Sequence, residues 1–302
     1  MLRWFQPFAL LILALPFAFS HAQPPEEKAL PAKAAAEKLD GPPIVSAKAW
    51  AIADGKTGKL LWESKGAEPL AIASTTKIMT AYIVLTLAAE DAKVLDEVMT
   101  FSDRADKTTG STSDLKVGDK VTVRDLLFGL LLPSGNDAAT AFAEHFGGRL
   151  KGEGKDDVAR FVAEMNRAAK ALKMQETKYL DPHGLGNNTA SARDLLTLAF
   201  AALKNPTFAK YVSTRRHKCS VTDADGKKRD VTWNNTNRLL EIEGYEGVKT
   251  GTTAAAGACL VSSGKYASDH LLVVVLGSTS GDGRYVDTRN LYRWAWTEHK
   301  GK

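Results

Sequence analysis

Apolar residues recur at helical spacing through the middle of the chain and in strand-length runs near its two ends. From Ser74 to Glu90, Ile78, Tyr82 and Leu85 share one helix face, with Met79 and Ile83 beside them. That spacing predicts a long amphipathic helix. Helices are predicted over 122–132, where Thr122 stands as a cap, over the small-residue stretch 136–146, and over 156–174, which starts with two acids. Another is predicted over 191–203, where Ser191 precedes Asp194 by three residues, a variant of the capping box. Ala49–Ala53 and Leu60–Glu63 have strand composition around a Gly-containing turn, which predicts a hairpin. The last third reads as strands in "GVKTGTT", "GACLVSSGK" and "HLLVVVLGS", then as a final helix in "RYVDTRNLYRWAW". The late strands are joined by turns too short for crossovers, so an antiparallel arrangement is expected. Strands at both ends with helices between them predict an α+β domain, its sheet assembled from the first hairpin and the late strands.

The first 22 residues, "MLRWFQPFALLILALPFAFSHA", follow a different pattern. One early cation, Arg3, is followed by an apolar run from Phe8 to Phe19 and by Ser20-His21-Ala22, a small-x-small cleavage site. This is the layout of a secretory signal peptide. The run is too short to span a bilayer and Pro16 interrupts it, so no membrane-spanning segment is expected in the mature chain. The mature protein is expected to start near Gln23, outside the cytoplasm, in the periplasm or cell-wall space. Residues 23–42 are rich in Ala, Pro, Lys and Glu and read as a flexible linker. The folded domain is assigned to 43–302. Composition changes little in this picture. The chain of 302 residues is 44% hydrophobic and 25% charged, as globular proteins are. Its net charge of +5 is spread along the sequence, with no basic stripe interleaved with aromatics, which argues against a nucleic-acid partner. Cys219 and Cys259 could pair in an oxidising compartment or serve as small core residues, and neither belongs to a metal motif. No cofactor is expected.

Three short motifs carry candidate chemistry. A serine three residues before a lysine puts a hydroxyl and an amine on one helix face, where nucleophile and base can meet. The pattern occurs at Ser74–Lys77, Ser113–Lys116 and Ser262–Lys265, but only Ser74 heads a long amphipathic helix. There the free N–H groups of a helix start favour an oxyanion. The second motif is Ser134-Gly135-Asn136 in "LLLPSGNDAAT". Its hydroxyl can relay a proton, and its amide can bind a carbonyl or orient Lys77. The third is Lys-Thr-Gly, present twice. Lys56-Thr57-Gly58 follows Asp54-Gly55 and reads as a hairpin tip. Lys249-Thr250-Gly251-Thr252 lies on a predicted strand, where the lysine supplies charge, the threonines can hold an anionic end, and Gly251 lets a substrate backbone approach. Each motif alone also reads as ordinary structure: a helix cap, a turn, a strand with a surface lysine.

In combination and in this chain order, the three motifs are those of penicillin-recognising serine enzymes. "ASTTKIMTAY", "VRDLLFGLLLPSGNDAA", "DPHGL", "SARDL" and "GVKTGTTAAAG" together resemble the serine-type D-alanyl-D-alanine carboxypeptidases, the low-molecular-mass penicillin-binding proteins of peptidase family S11, over nearly the whole mature chain. The resemblance implies a five-stranded antiparallel sheet flanked by helices, with a helical subdomain and the active site between them. It implies that Ser74 attacks a terminal D-Ala-D-Ala bond with neutral Lys77 as base, while Ser134 passes the proton to the leaving D-alanine. The N–H groups of Ser74 and Thr252 would form an oxyanion hole, and Asn136, Lys249, Thr250, Gly251 and Thr252 would bind substrate. The implied partners are the peptidoglycan stem peptide and, as covalent inhibitors, β-lactams. Many relatives carry His where this chain has Thr252, and many continue into a β-rich C-terminal domain and an amphipathic tail, neither of which is expected here. His183 of "DPHGL" lies outside the three motifs and reads as structural. The scattered histidines lack zinc-peptidase spacing. The rival readings are a D,D-endopeptidase of the same family, a serine β-lactamase, and a sensor that keeps the fold without the chemistry. The β-lactamase would need a glutamate to activate water, and Glu153, in a Gly-Lys stretch, and Glu164, in a predicted helix, have no matching phrase around them.

Overall fold

The computed structural model describes residues 41–299. The signal-peptide assignment, and the linker except for Gly41 and Pro42, lie outside the described residues. The chain starts with the expected hairpin, β1 (Ala49–Asp54) and β2 (Leu60–Ser64). At its tip the Asp54 carboxylate accepts from the Lys56 N–H at 3.0 Å and from the Thr57 N–H at 2.7 Å. Aspartate binds its own following backbone in this way when the chain turns, so the first Lys-Thr-Gly is a loop. After β3 (Leu70–Ala71), a 3₁₀ turn over Ala73–Thr76 runs straight into α1 (Lys77–Glu90). Ser74 therefore sits inside a tight turn ahead of the helix rather than capping it.

A connecting stretch holds β4 (Val98–Thr100), α2 (Asp103–Asp106) and β5 (Lys120–Thr122). It leads to α3 (Val123–Leu131), whose first turn is capped as predicted by the Thr122 hydroxyl accepting from the Asp125 N–H. Next come α4 (Asn136–Gly147), α5 (Asp157–Ala171), β6 (Thr189–Ala190), α6 (Ala192–Leu203) and α7 (Pro206–Ser213). The Ser191 hydroxyl accepts from the Asp194 N–H at 3.1 Å, the capping bond read from the sequence. A second hairpin, β7 (Arg216–Thr222) and β8 (Lys228–Asn234), precedes β9 (Tyr245–Thr253), β10 (Gly257–Tyr266), β11 (Asp269–Ser278) and α8 (Gly283–His299).

The main sheet is antiparallel in the order β2-β1-β11-β10-β9, so the first hairpin and the late strands do form one sheet. Both of its faces are buried. Ala51 and Ala53 of β1, with Leu272, Val274 and Leu276 of β11, join the core shared with α1, α3 and α6. Their neighbours Trp50, Ile52, Leu271, Val273 and Val275 pack against Leu291, Tyr292 and Ala295 of α8. Successive side chains of a strand point to opposite faces. A strand with two buried faces therefore reads as a continuous apolar run, as "LLVVVL" does. Two smaller sheets, β3-β6 and β4-β5-β7-β8, were not expected from the sequence. In β7 only His217, Cys219 and Val221 turn inward, between exposed Arg216, Lys218 and Ser220, so its apolar signal is weak. Cys219 and Cys259 are both free thiols, and Cys259 is buried.

Candidate active site

The 3₁₀ turn and the first turn of α1 bring Ser74 and Lys77 together. The Lys77 Nζ lies 2.9 Å from the Ser74 Oγ, 2.6 Å from the Asn136 Oδ1 and 2.9 Å from the His183 carbonyl oxygen. Two of these partners are fixed acceptors. The Asn136 amide is oriented by its Nδ2, which donates to the Thr109 carbonyl at 2.7 Å, so Oδ1 must face Lys77. With two N–H bonds committed to Asn136 and His183, the remaining tetrahedral direction on Nζ points at Ser74. In an ammonium it holds a third hydrogen; in a neutral amine it holds the lone pair. Lys77 is fully buried. Burial first, and then the positive charge of Lys249, push its pKa well below the ordinary lysine value, while Asp181 and Asp137 oppose the shift.

Ser134 and Asn136 flank a bend between α3 and α4. Ser134 has φ 70°, a left-handed conformation uncommon for a residue with a side chain. Its Oγ is buried and makes no hydrogen bond within the protein. An unpaired buried hydroxyl costs about 1–3 kcal/mol.

Strand β9 forms the opposite wall. It is an edge strand, so among the described residues its outer main-chain groups have no strand beside them. Lys249 is buried, and burial together with the Arg284 guanidinium lowers its pKa to about 7. A Cβ placed on Gly251 would come 2.9 Å from the Ile72 carbonyl oxygen and 2.9 Å from the Ser74 nitrogen. The close approach at this glycine is thus made by the protein's own Ser74 turn. Thr250 points the other way along the strand, its hydroxyl 2.8 Å from that of Thr236, and Thr252 is exposed. Arg284, at the start of α8, donates to the carbonyl oxygens of Gly251 at 2.9 Å and Cys259 at 3.2 Å. Sequence reasoning missed Arg284, since an arginine at a helix start carries no local signal.

His183 also contributes more than its motif suggested, through its carbonyl rather than its ring. Asp181 accepts from the His183 N–H at 2.8 Å and from the N–H groups of Gly184 and Gly186, which folds "DPHGL" into a tight loop. The Thr80 hydroxyl donates to the Pro182 carbonyl at 2.6 Å and ties that loop to α1. Gly184 has φ 102°, and a Cβ on it would lie 2.0 Å from the Ala73 carbonyl oxygen. The other Ser-x-x-Lys copies are structural. Ser113 is buried and donates to Asp137 at 2.8 Å, while Ser262 is buried in β10 and accepts from the Tyr292 hydroxyl at 3.3 Å. Glu164 is held by Arg167 on α5, and Glu153 is exposed. Among the described residues no carboxylate hydrogen-bonds to Ser74, Lys77 or Asn136.

The chain is similar to proteins of one known family. The family model for D-alanyl-D-alanine carboxypeptidases of peptidase family S11 matches residues 35–280. A D-alanyl-D-alanine carboxypeptidase from Streptomyces sp. strain K15 is 36% identical over 84% of this chain and 88% of the relative. A D-alanyl-D-alanine endopeptidase from Pseudomonas aeruginosa is 31% identical over 91% of this chain and 83% of the relative. The crystal structure of the Streptomyces K15 DD-transpeptidase superposes with a TM-score of 0.78 at 35% identity, covering 85% of this chain and 99% of that one. The chain spans less than two thirds of some other relatives, such as 63% of the Bacillus subtilis carboxypeptidase DacF. A matched family model over most of the described residues, and a serine–lysine pair facing a Lys-Thr-Gly edge strand in the same fold, lead to one conclusion: this chain is a member of the D-alanyl-D-alanine carboxypeptidase family S11.

Proposed function

We propose that the protein is a serine-type D-Ala-D-Ala carboxypeptidase that removes the terminal D-alanine of peptidoglycan stem peptides through an acyl-enzyme on Ser74. The observation that carries this reading is the Lys77 amine, aimed at the Ser74 hydroxyl by two fixed acceptors and depressed in pKa by its surroundings. Neutral Lys77 takes the Ser74 proton as Oγ attacks the carbonyl of the penultimate D-alanine. The tetrahedral oxyanion is received by the N–H groups of Ser74 and Thr252, which belong to the turn and the strand that meet at Gly251. Ser134 hands a proton to the leaving amine. Lys249, Thr250 and Thr252 hold the free carboxylate, and the stem lies along the open edge of β9, as extended peptides do on exposed strands. Water then releases the trimmed peptide. β-Lactams acylate the same serine. Such a substrate implies action outside the cytoplasm, in the periplasm or cell-wall space, and no helix among the described residues is long and apolar enough to cross a membrane.

The test is mass spectrometry of products from a pentapeptide stem, with a fluorescent penicillin as a covalent probe. Loss of one alanine and labelling in the native protein, with both absent from Ser74→Ala, are the expected results. Labelling that persists in the variant would overturn the assignment. Similarity to an endopeptidase over 91% of this chain and 83% of that relative favours a second reading, cleavage of peptidoglycan crosslinks. Crosslinked dimers cut without release of alanine from the pentapeptide would select it. Rapid turnover of nitrocefin would select a β-lactamase instead.

A further inference from the structure

Away from Ser74, three side chains with metal-binding donors converge between α3 and β7. Asp125 lies in the first turn of α3, while His217 and Cys219, two residues apart on β7, point to the same face of their strand. One donor atom from each lies within 4.8 Å of the other two. The His217 Nε2 is 2.9 Å from the Asp125 Oδ1. A zinc-class ion bonds to N, O and S at about 2.0–2.3 Å and spaces its ligand atoms about 3.2–3.8 Å apart. Small side-chain rotations therefore close the set around a cation.

The surroundings hold these groups in place. The Thr122 hydroxyl donates to the other Asp125 oxygen, Oδ2, at 2.8 Å. The His217 ring stacks on Phe128 at 3.7 Å with a 14° interplanar angle, and lies nearly parallel to Trp233 at 6.2 Å. The carboxylate and the imidazole are thus oriented by neighbours that do not compete for the metal-facing atoms, as outer-shell groups of metal sites are. The hydrogen bond between His217 and Asp125 accounts for two members of the cluster and leaves the thiol without a role. Cys219 has no disulfide partner, because the other cysteine is buried in β10. All three residues are half-buried, so the cluster is not sealed from solvent.

We propose that Asp125, His217 and Cys219 form a three-ligand site for a borderline-soft divalent cation of the zinc class. Binding removes the thiol proton and replaces the hydrogen bond between His217 and Asp125 with two coordinate bonds. The mixed S, N and O donor set selects zinc or cobalt over magnesium and calcium, which prefer oxygen alone. The bound ion pins α3 to the β7–β8 hairpin. Helix α3 ends three residues before Ser134, and two residues beyond β8 lies Thr236, whose hydroxyl meets Thr250. The site therefore braces two segments that carry active-site groups.

Titration of the reduced protein with Co²⁺, followed by absorption, tests this. One equivalent is expected to produce a thiolate-to-cobalt charge-transfer band together with the ligand-field bands of a low-coordinate ion. The band should be lost in Cys219→Ser and kept in Cys259→Ser. Affinity should fall by more than about tenfold in His217→Gln and Asp125→Asn. Thermal melts without metal show whether each variant is folded, and added Zn²⁺ should raise the melting temperature of the native protein and of Cys259→Ser but not of Cys219→Ser. Absence of a charge-transfer band at millimolar Co²⁺, or its persistence in Cys219→Ser, overturns the site.

Discussion

The Asn136 side-chain oxygen sits 2.6 Å from the Lys77 Nζ, although 59 positions separate the two residues in the chain. At that distance the chemistry of position 136 sets the protonation of Lys77. Replacing the amide by a carboxylate, Asn136→Asp, puts a negative charge against the amine and favours the ammonium. The acid limb of acylation rate against pH should move to higher pH. Asp181 already acts in that direction on Lys77, so Asp181→Asn should move the same limb to lower pH. The second-order rate of penicillin acylation, measured across pH in both variants, checks the opposite signs. Shifts in the same direction would rule out Lys77 as the titrating base.

Lys249 makes the fold less stable at neutral pH. Its pKa falls from 10.5 when unfolded to about 7 in the buried site. Between those values the unfolded chain binds more protons than the folded one, so stability rises with pH from about 7 to about 10.5. Below about 7 the full penalty is present. Lys249→Met should therefore be more stable than the native protein at pH 7, by on the order of 1–4 kcal/mol, while losing peptidase activity. The gain should shrink as pH approaches 10.5. Urea midpoints of both proteins at pH 7 and at about pH 10 measure it; a gain that grows with pH would contradict the assignment.

Gly251→Ala tests the contact between β9 and the Ser74 turn. The added methyl meets main-chain atoms of Ile72, Ser74 and Thr75 within 3.0 Å. Main-chain atoms cannot rotate away, so the strand must retreat. Overpacking of this kind costs about 1–3 kcal/mol. Penicillin acylation should drop by more than tenfold, on the order of what a misplaced reacting group costs. Native acylation rates in a folded variant would show that the spacing does not matter.

Ser134→Ala should separate stability from chemistry. The Ser134 Oγ has no hydrogen-bond partner to lose and carries the cost of an unpaired buried hydroxyl, so unfolding free energy should stay level or rise by about 1–3 kcal/mol. Turnover of a pentapeptide should fall by about 10²–10⁴-fold, the usual contribution of a proton-transfer group. A chemical-denaturation curve and a rate on the same sample provide both numbers, and a large stability loss with full activity would assign Ser134 a structural role.

Sequence alone determined whatever depends on neighbours in the chain. The Thr122 and Ser191 caps, the Asp54 turn under the first Lys-Thr-Gly, and the three-residue step from Ser74 to Lys77 are short-range geometry. Periodicity reports such geometry directly, and the five strands of the main sheet were legible because apolar runs with short turns leave few pairings. The order of the three motifs, with the phrases around them, identified the family. Tertiary structure decided the rest. It alone showed that Lys77 is fully buried, that the His183 carbonyl is its third partner, and that Arg284 reaches the Gly251 carbonyl from α8. It also joined Asp125 to His217 across 92 positions of sequence, and to Cys219 beside it on the strand. The physical reason is common to all four. A backbone carbonyl has no residue type to recognise. A side chain's environment depends on which distant elements pack over it, and burial sets the electrostatics only once that packing is complete.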